Sequence, residues 1–199
     1  MKAVPRPPSR RPRVSRPVVI AAFVALIAIA VVVLVLVTSG DDANTTSSPT
    51  TSTPATATRA EPVKANADAL RKVAAAIGHP VYWAPGEATS TYELTQTTDG
   101  RLFIRYLPED VQIGDPRPNF LTIGTYPQEN PLASVQQGGK RKGAVTKDLA
   151  GGGLSVSQSD RPTSVFFAYP ESKVLVEVYD PTANRAATLV ASGAILPIG

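Results

Sequence analysis

The longest apolar run in the chain covers residues 18–37, VVIAAFVALIAIAVVVLVLV, twenty positions without a polar side chain. At 1.5 Å per residue a helix of that length measures about 30 Å, the thickness of a bilayer's hydrocarbon core. It also satisfies its own backbone hydrogen bonds, as lipid requires. The run predicts a transmembrane helix. A cleavable signal peptide is the competing reading. Its apolar region typically has about 7–15 residues and ends at a small-x-small site, which Val37-Thr38-Ser39 matches poorly.

Beyond residue 60 the pattern becomes periodic. Val63, Ala67, Leu70, Val73, Ala74 and Ile77 recur at helical spacing, with Lys64, Asp68, Arg71 and Lys72 elsewhere on the wheel. This predicts a helix over 63–77, capped by Gly78 and stopped by Pro80. Period-two alternation follows: Tyr92, Leu94 and Gln96, then Leu102, Ile104 and Tyr106. Between them sits Asp99-Gly100, a dipeptide that tolerates positive φ in a hairpin turn. Pro108 ends the second strand, and 120–126 reads as a third. Residues 127–152 are weakly patterned: one or two helical turns over Pro131 to Gln137, a Gly-framed basic loop at 138–143, and a flexible joint at Gly151-Gly152-Gly153. Strands are expected at 154–158, 163–169 and 173–179. Asp180-Pro181 then signals a helix start, a capping carboxylate followed by proline at the first helical position. That helix runs to about Ser192 and buries Ala186, Leu189 and Val190.

The predicted order is α-βββ-βββ-α. Short turns argue for antiparallel pairing, with two helices packed on the sheet. The expected fold class is α+β, preceded by the transmembrane helix. Residues 92–109 and 154–171 align without a gap, with matches at Gln96/Gln158, Pro108/Pro170 and Glu109/Glu171. So few identities are near chance, and they raise internal duplication only as a question.

Charge placement completes the organisation. Residues 1–17 carry six Lys/Arg, no acid and five prolines, a composition that cannot build a core. They read as a disordered basic cytoplasmic tail. Residues 38–60 read as a Thr/Ser/Pro-rich stalk, reaching about 25 Å as a coil and about 60 Å if polyproline-like. Asn44-Thr45-Thr46 in it matches a glycosylation acceptor. Asp41 and Asp42 follow the apolar run, and the next basic residue is Arg59. The positive-inside rule therefore places the N-terminus in the cytoplasm and the C-terminal domain outside the cell membrane. Residues 61–199 form that extracytoplasmic α+β domain. They hold 13 Lys/Arg against 14 Asp/Glu, a net of −1. The basic excess of the chain thus belongs to its tail, and nucleic-acid binding by the domain is not expected.

The chain has no cysteine, which removes disulfides, thiolate nucleophiles and cysteine metal sites. His79 is the lone histidine, and beside Gly78 and Pro80 its expected role is to bond the last carbonyls of the helix. No catalytic residue, metal ligand or cofactor is assigned. Two ligand-binding candidates remain. The Tyr82-Trp83 pair, in a Pro-bounded segment, either stacks on a sugar or peptide or packs the helix onto the sheet. Lys140, Arg141 and Lys142 either contact an anionic wall polymer or lipid headgroups, or form a solvated loop.

The stretches Gly78-His79-Pro80-Val81-Tyr82-Trp83, Arg105-Tyr106-Leu107-Pro108 and Gly124-Thr125-Tyr126-Pro127 resemble those of single-pass membrane-anchored bacterial proteins of the high-GC Gram-positive type, a family with no assigned activity. The resemblance implies a bacterial envelope setting and transfers no site residues. The layout is also similar to anti-sigma regulators, but seventeen tail residues cannot form a sigma-binding domain. The expected function is a membrane-anchored extracytoplasmic binding or interaction domain. Its partners beyond the bilayer are a cell-wall polymer or another membrane protein. The alternative is a cell-wall-active hydrolase using paired carboxylates.

Overall fold

The computed structural model describes residues 58–87 and 91–199. The expected tail, transmembrane helix and stalk up to residue 57 lie outside the described residues. Among the described residues no helix is long and apolar enough to cross a membrane. The last stalk residues belong to the domain instead. Thr58 donates its N–H to Thr98 Oγ1 at 3.1 Å, and Ala60 donates to the Gln96 carbonyl at 2.8 Å.

The helix expected over 63–77 begins four residues later. Strand β1 (Val63–Ala65) takes the first of those residues, pairing antiparallel with β3 (Thr91–Gln96). Asn66 then caps α1 (Ala67–Ile77), its side chain accepting the Ala69 N–H at 2.8 Å. Gly78 closes the helix in the left-handed region, φ 73°, returning its N–H to Ala74 O. That conformation is why glycine stands there.

The main sheet is antiparallel and eight-stranded. It adds β4 (Leu102–Leu107), β5 (Thr122–Pro127), β6 (Ala144–Asp148), β7 (Leu154–Gln158), β8 (Arg161–Ala168) and β9 (Val174–Tyr179), in the order β1-β3-β4-β5-β9-β8-β7-β6. Two meanders therefore meet where β5 pairs with β9. A separate ribbon joins β2 (Val81–Trp83) to β10 (Leu196–Ile198).

Register divides the sheet into two faces. Leu94, Ile104, Ile123, Val178 and Val165 lie in one row across five strands, and all are buried. Helix α1, the β2–β10 ribbon and α3 (Arg185–Ala191) cover this face, contributing Leu70, Ala74, Val81, Ala186, Val190 and Ile198 to one apolar core. On the other face α2 (Pro131–Gly139) sets Val135 against Val156 and Ala168. The expected two helices are thus three, and the third lies on the face left bare in the sequence reading.

Other expectations are corrected by local chemistry. Asp180 does not start a helix: Oδ1 accepts the Thr182 N–H at 2.8 Å in a turn, Asn184 takes φ 66°, and α3 begins at Arg185. In the glycine run at 151–153, Gly151 and Gly152 are exposed and turn the chain with φ of 77°, whereas Gly153 is buried and a Cβ on it would stand 2.6 Å from the Tyr169 ring. Internal duplication in the proposed alignment fails on register. Leu94 points into the larger core, whereas its counterpart Val156 points to the opposite face beneath α2.

Candidate functional site

Three clusters of polar groups are built into the domain. In the first, the side chain of Arg185, at the first residue of α3, bridges two acids. Nη1 lies 2.6 Å from Asp180 Oδ2, and Nη2 lies 2.7 Å from Glu87 Oε1. Asp180 is buried, while Arg185 remains partly exposed. The trio lines an open cleft of about 170 Å³ together with Tyr106, Asn119 and Phe120. At its wall the Ala84 N–H donates to the Tyr106 hydroxyl at 2.6 Å, and burial pushes that phenol far above its ordinary 10.

The second cluster sits on the opposite face, in the middle of the sheet. The Tyr126 O–H donates to Glu177 Oε2 at 2.6 Å. The ring reaches there by lying flat over Gly124, where a Cβ would be 2.8 Å from it. Burial raises the Glu177 carboxyl above its usual range, although the hydrogen bonds from Tyr126 and Ser164 act the other way. Burial, then the neighbouring carboxylate, raises the Tyr126 phenol as well.

The third is an anchor for residues 108–120. Glu93, fully buried, receives Arg105 Nη1 at 2.6 Å on one oxygen and the Gly114 N–H at 2.6 Å on the other. Arg105 Nη2 donates onward to the carbonyls of Asp115 and Arg117 at 2.9 and 2.7 Å, and its guanidinium lies 5.1 Å from the Phe120 ring centroid. Asp115, held by Arg117, has its carboxyl lowered to about 2. All buried side-chain polar atoms among the described residues have partners.

The sequence candidates fall in different places. Tyr82 is buried, edge-on to Phe167 with centroids 5.4 Å apart and stacked on Tyr169 at 6.4 Å. Its N–H donates to Thr125 Oγ1, tying β2 across β5. Trp83, half-buried, meets the edge of Tyr92 at 5.8 Å. Lys140, Arg141 and Lys142 are exposed in the turn between α2 and β6, and the structure does not bring them to the aromatic pair. His79 does not bond helix carbonyls: Nδ1 is 3.1 Å from Pro80 O. Among the described residues, no three His, Cys, Asp or Glu side chains converge as a metal site.

The acids that do cluster escaped sequence reasoning for different reasons. Glu87 and Arg185 are 98 positions apart, so only the tertiary fold joins them. Glu177 had a signal: a carboxylate inside the strand VLVEVY, alternating with buried valines. No known protein family, curated protein or solved structure matches the chain.

Proposed function

We propose that the chain is a single-pass membrane protein whose outer domain is a binding module of the bacterial cell envelope. The twenty-residue apolar run, with six basic residues before it and Asp41 and Asp42 after it, supports the anchored, outward-facing arrangement. One observation carries the choice of binding over hydrolysis. The two cleft carboxylates, Glu87 and Asp180, share the guanidinium of Arg185. Glycoside hydrolysis by paired carboxyl groups needs both of them free to reach the glycosidic bond from its two sides. Here the Arg185 guanidinium stands between them and takes one oxygen of each, and the Thr182 N–H takes the other oxygen of Asp180. The trio acts as a clasp between the end of β9, α3 and the segment after β2.

The test is incubation of the full-length protein, in neutral micelles, with purified cell-wall sacculi. Co-sedimentation without release of soluble sugar fragments is expected. Steady release of fragments that Glu87→Gln or Asp180→Asn abolishes would establish the hydrolase instead.

A further inference from the structure

Lys140, Arg141 and Lys142 are joined in space by a fourth cation that the sequence does not place beside them. Ala144 pairs with Gln158, Gln158 pairs with Arg161, and the Ser159 N–H donates to the Gly143 carbonyl at 2.9 Å. The turn before β6 and the turn between β7 and β8 therefore lie side by side, at one corner of the sheet. All four cations are exposed, and Asp160 is the only acid in the two turns. Elsewhere Arg71, Arg101, Arg105, Arg117 and Arg185 form ion pairs, and Arg59 lies over the Phe103 ring and donates to Thr95. Arg141 and Arg161 have no ion pair among the described residues, nor do the two lysines. In a domain of net charge −1, this corner is a local cationic excess.

Its position matters as much as its charge. Thr58 and Ala60 bond to the residues around the β3–β4 turn, so the chain enters at the opposite end of the strands and beside the other edge of the sheet. At about 4.8 Å per strand, eight strands set the two edges roughly 34 Å apart. The cationic corner is diagonally across the sheet from Thr58 and Ala60. Neither the cleft at Arg185 nor the one lined by Asn130, Tyr169 and Lys173 includes its residues. An open cluster of flexible cations gains little from a single small anion, but gains from many charges on one chain.

We propose that Lys140, Arg141, Lys142 and Arg161 bind a linear envelope polymer bearing repeating phosphate groups. The proposal rests on the binding-module reading above and names its ligand class and surface. Guanidinium forks suit phosphate oxygens, and the lysines add point charges along the same line.

The chain is tested in nanodiscs of zwitterionic lipid, with the tail residues Lys2, Arg6, Arg10, Arg11, Arg13 and Arg16 changed to Gln so that only the domain competes for the probe. The probe is inorganic polyphosphate, and affinity is measured across a salt series. K140Q/R141Q/K142Q/R161Q is expected to weaken binding about tenfold or more and to lower the slope of log affinity against log salt by about three, near 0.7–0.9 per cation removed. A control, K64Q/K72Q/K173Q, removes exposed lysines elsewhere and is expected to stay within about twofold. Unchanged affinity in the quadruple variant, or equal loss in the control, overturns the proposal. Capture of phosphatidylglycerol vesicles through the same four residues, with no polyphosphate binding, makes the surface a bilayer contact and also overturns it. A C-terminal reporter active in the cytoplasm sinks the outer location without touching the nanodisc result, so the two failures are told apart.

Discussion

Arg105 is the residue on which the cluster anchoring residues 108–120 converges. It faces Glu93, whose side chain is fully buried, and it also holds the carbonyls of Asp115 and Arg117. Removing one partner of such a pair strands a charge, which costs about 3–5 kcal/mol. Arg105→Leu is therefore expected to lower stability by that amount in urea melts, and a loss below about 1 kcal/mol would show that the Arg105–Glu93 bridge does not anchor residues 108–120. Glu177 predicts the opposite sign. Its folded pKa lies above the ordinary 4.5 because burial disfavours its charge. From about pH 4.5 upward the native state keeps a proton that the unfolded chain has released, so stability falls as pH rises through the folded pKa and stays reduced above it. Glu177→Gln removes this dependence. The variant should equal the parent near pH 4 and match or exceed it at pH 7.5, with a flatter profile between. A variant that is less stable only at neutral pH contradicts that account. Residues of this kind were legible in part: Glu177 interrupts a row of valines, whereas nothing near Glu93 in sequence announces Arg105 as its partner.

At the scale of elements, the strongly periodic segments were readable and the short ones were not. The 92–96 and 102–106 strands with their Asp99-Gly100 turn appear as β3 and β4, because alternation and turn chemistry agree there. Strands β2 and β10 have three residues, too few for a period to register, and β6 buries none of its five, so the existence of all three depends on neighbours supplied by the fold. Helix α2 was seen only as a turn or two. Its apolar content is slight, with Pro131 and Val135 its only buried residues. The start of α1 was misplaced because Val63 fits both a helical wheel and a strand edge, and the tie is broken by Asn66. Its side chain satisfies the Ala69 N–H only if the helix begins after it. Asn66→Ala is accordingly expected to cost about 0.5–2 kcal/mol, with Asn66→Asp or Asn66→Ser close to the parent. Equal loss in all three, read from thermal melts, would mean the cap is not what sets this boundary. The polar clusters joining distant elements, such as Glu87 with Arg185, were illegible for the same reason as the short strands: their warrant is tertiary.

At the scale of the molecule, one apolar core runs from Ala65 near the beginning of the domain to Ile198 at its end. Strand β10 closes the ribbon over β5 by pairing with β2, so both ends of the domain share one structural unit. Residues 58–199 expressed alone are expected to unfold in a single cooperative transition, and separate transitions for the two meanders would divide the domain at β5 and β9. The placement of that unit in the cell turns on a different part of the chain. Twenty apolar residues match the bilayer core, and the charge asymmetry around them runs in one direction: six basic residues before, two acids directly after. The domain itself, without cysteine, needs no redox machinery to fold. A reporter active only outside the cytoplasm, fused after Gly199, should be active. A cytoplasm-only reporter at the same site should be silent. Changing Arg6, Arg10, Arg11, Arg13 and Arg16 to Glu should weaken or invert that contrast, since the tail charges are its cause. A cytoplasm-only reporter active on the unaltered chain overturns the anchored topology, and the binding-module reading falls with it.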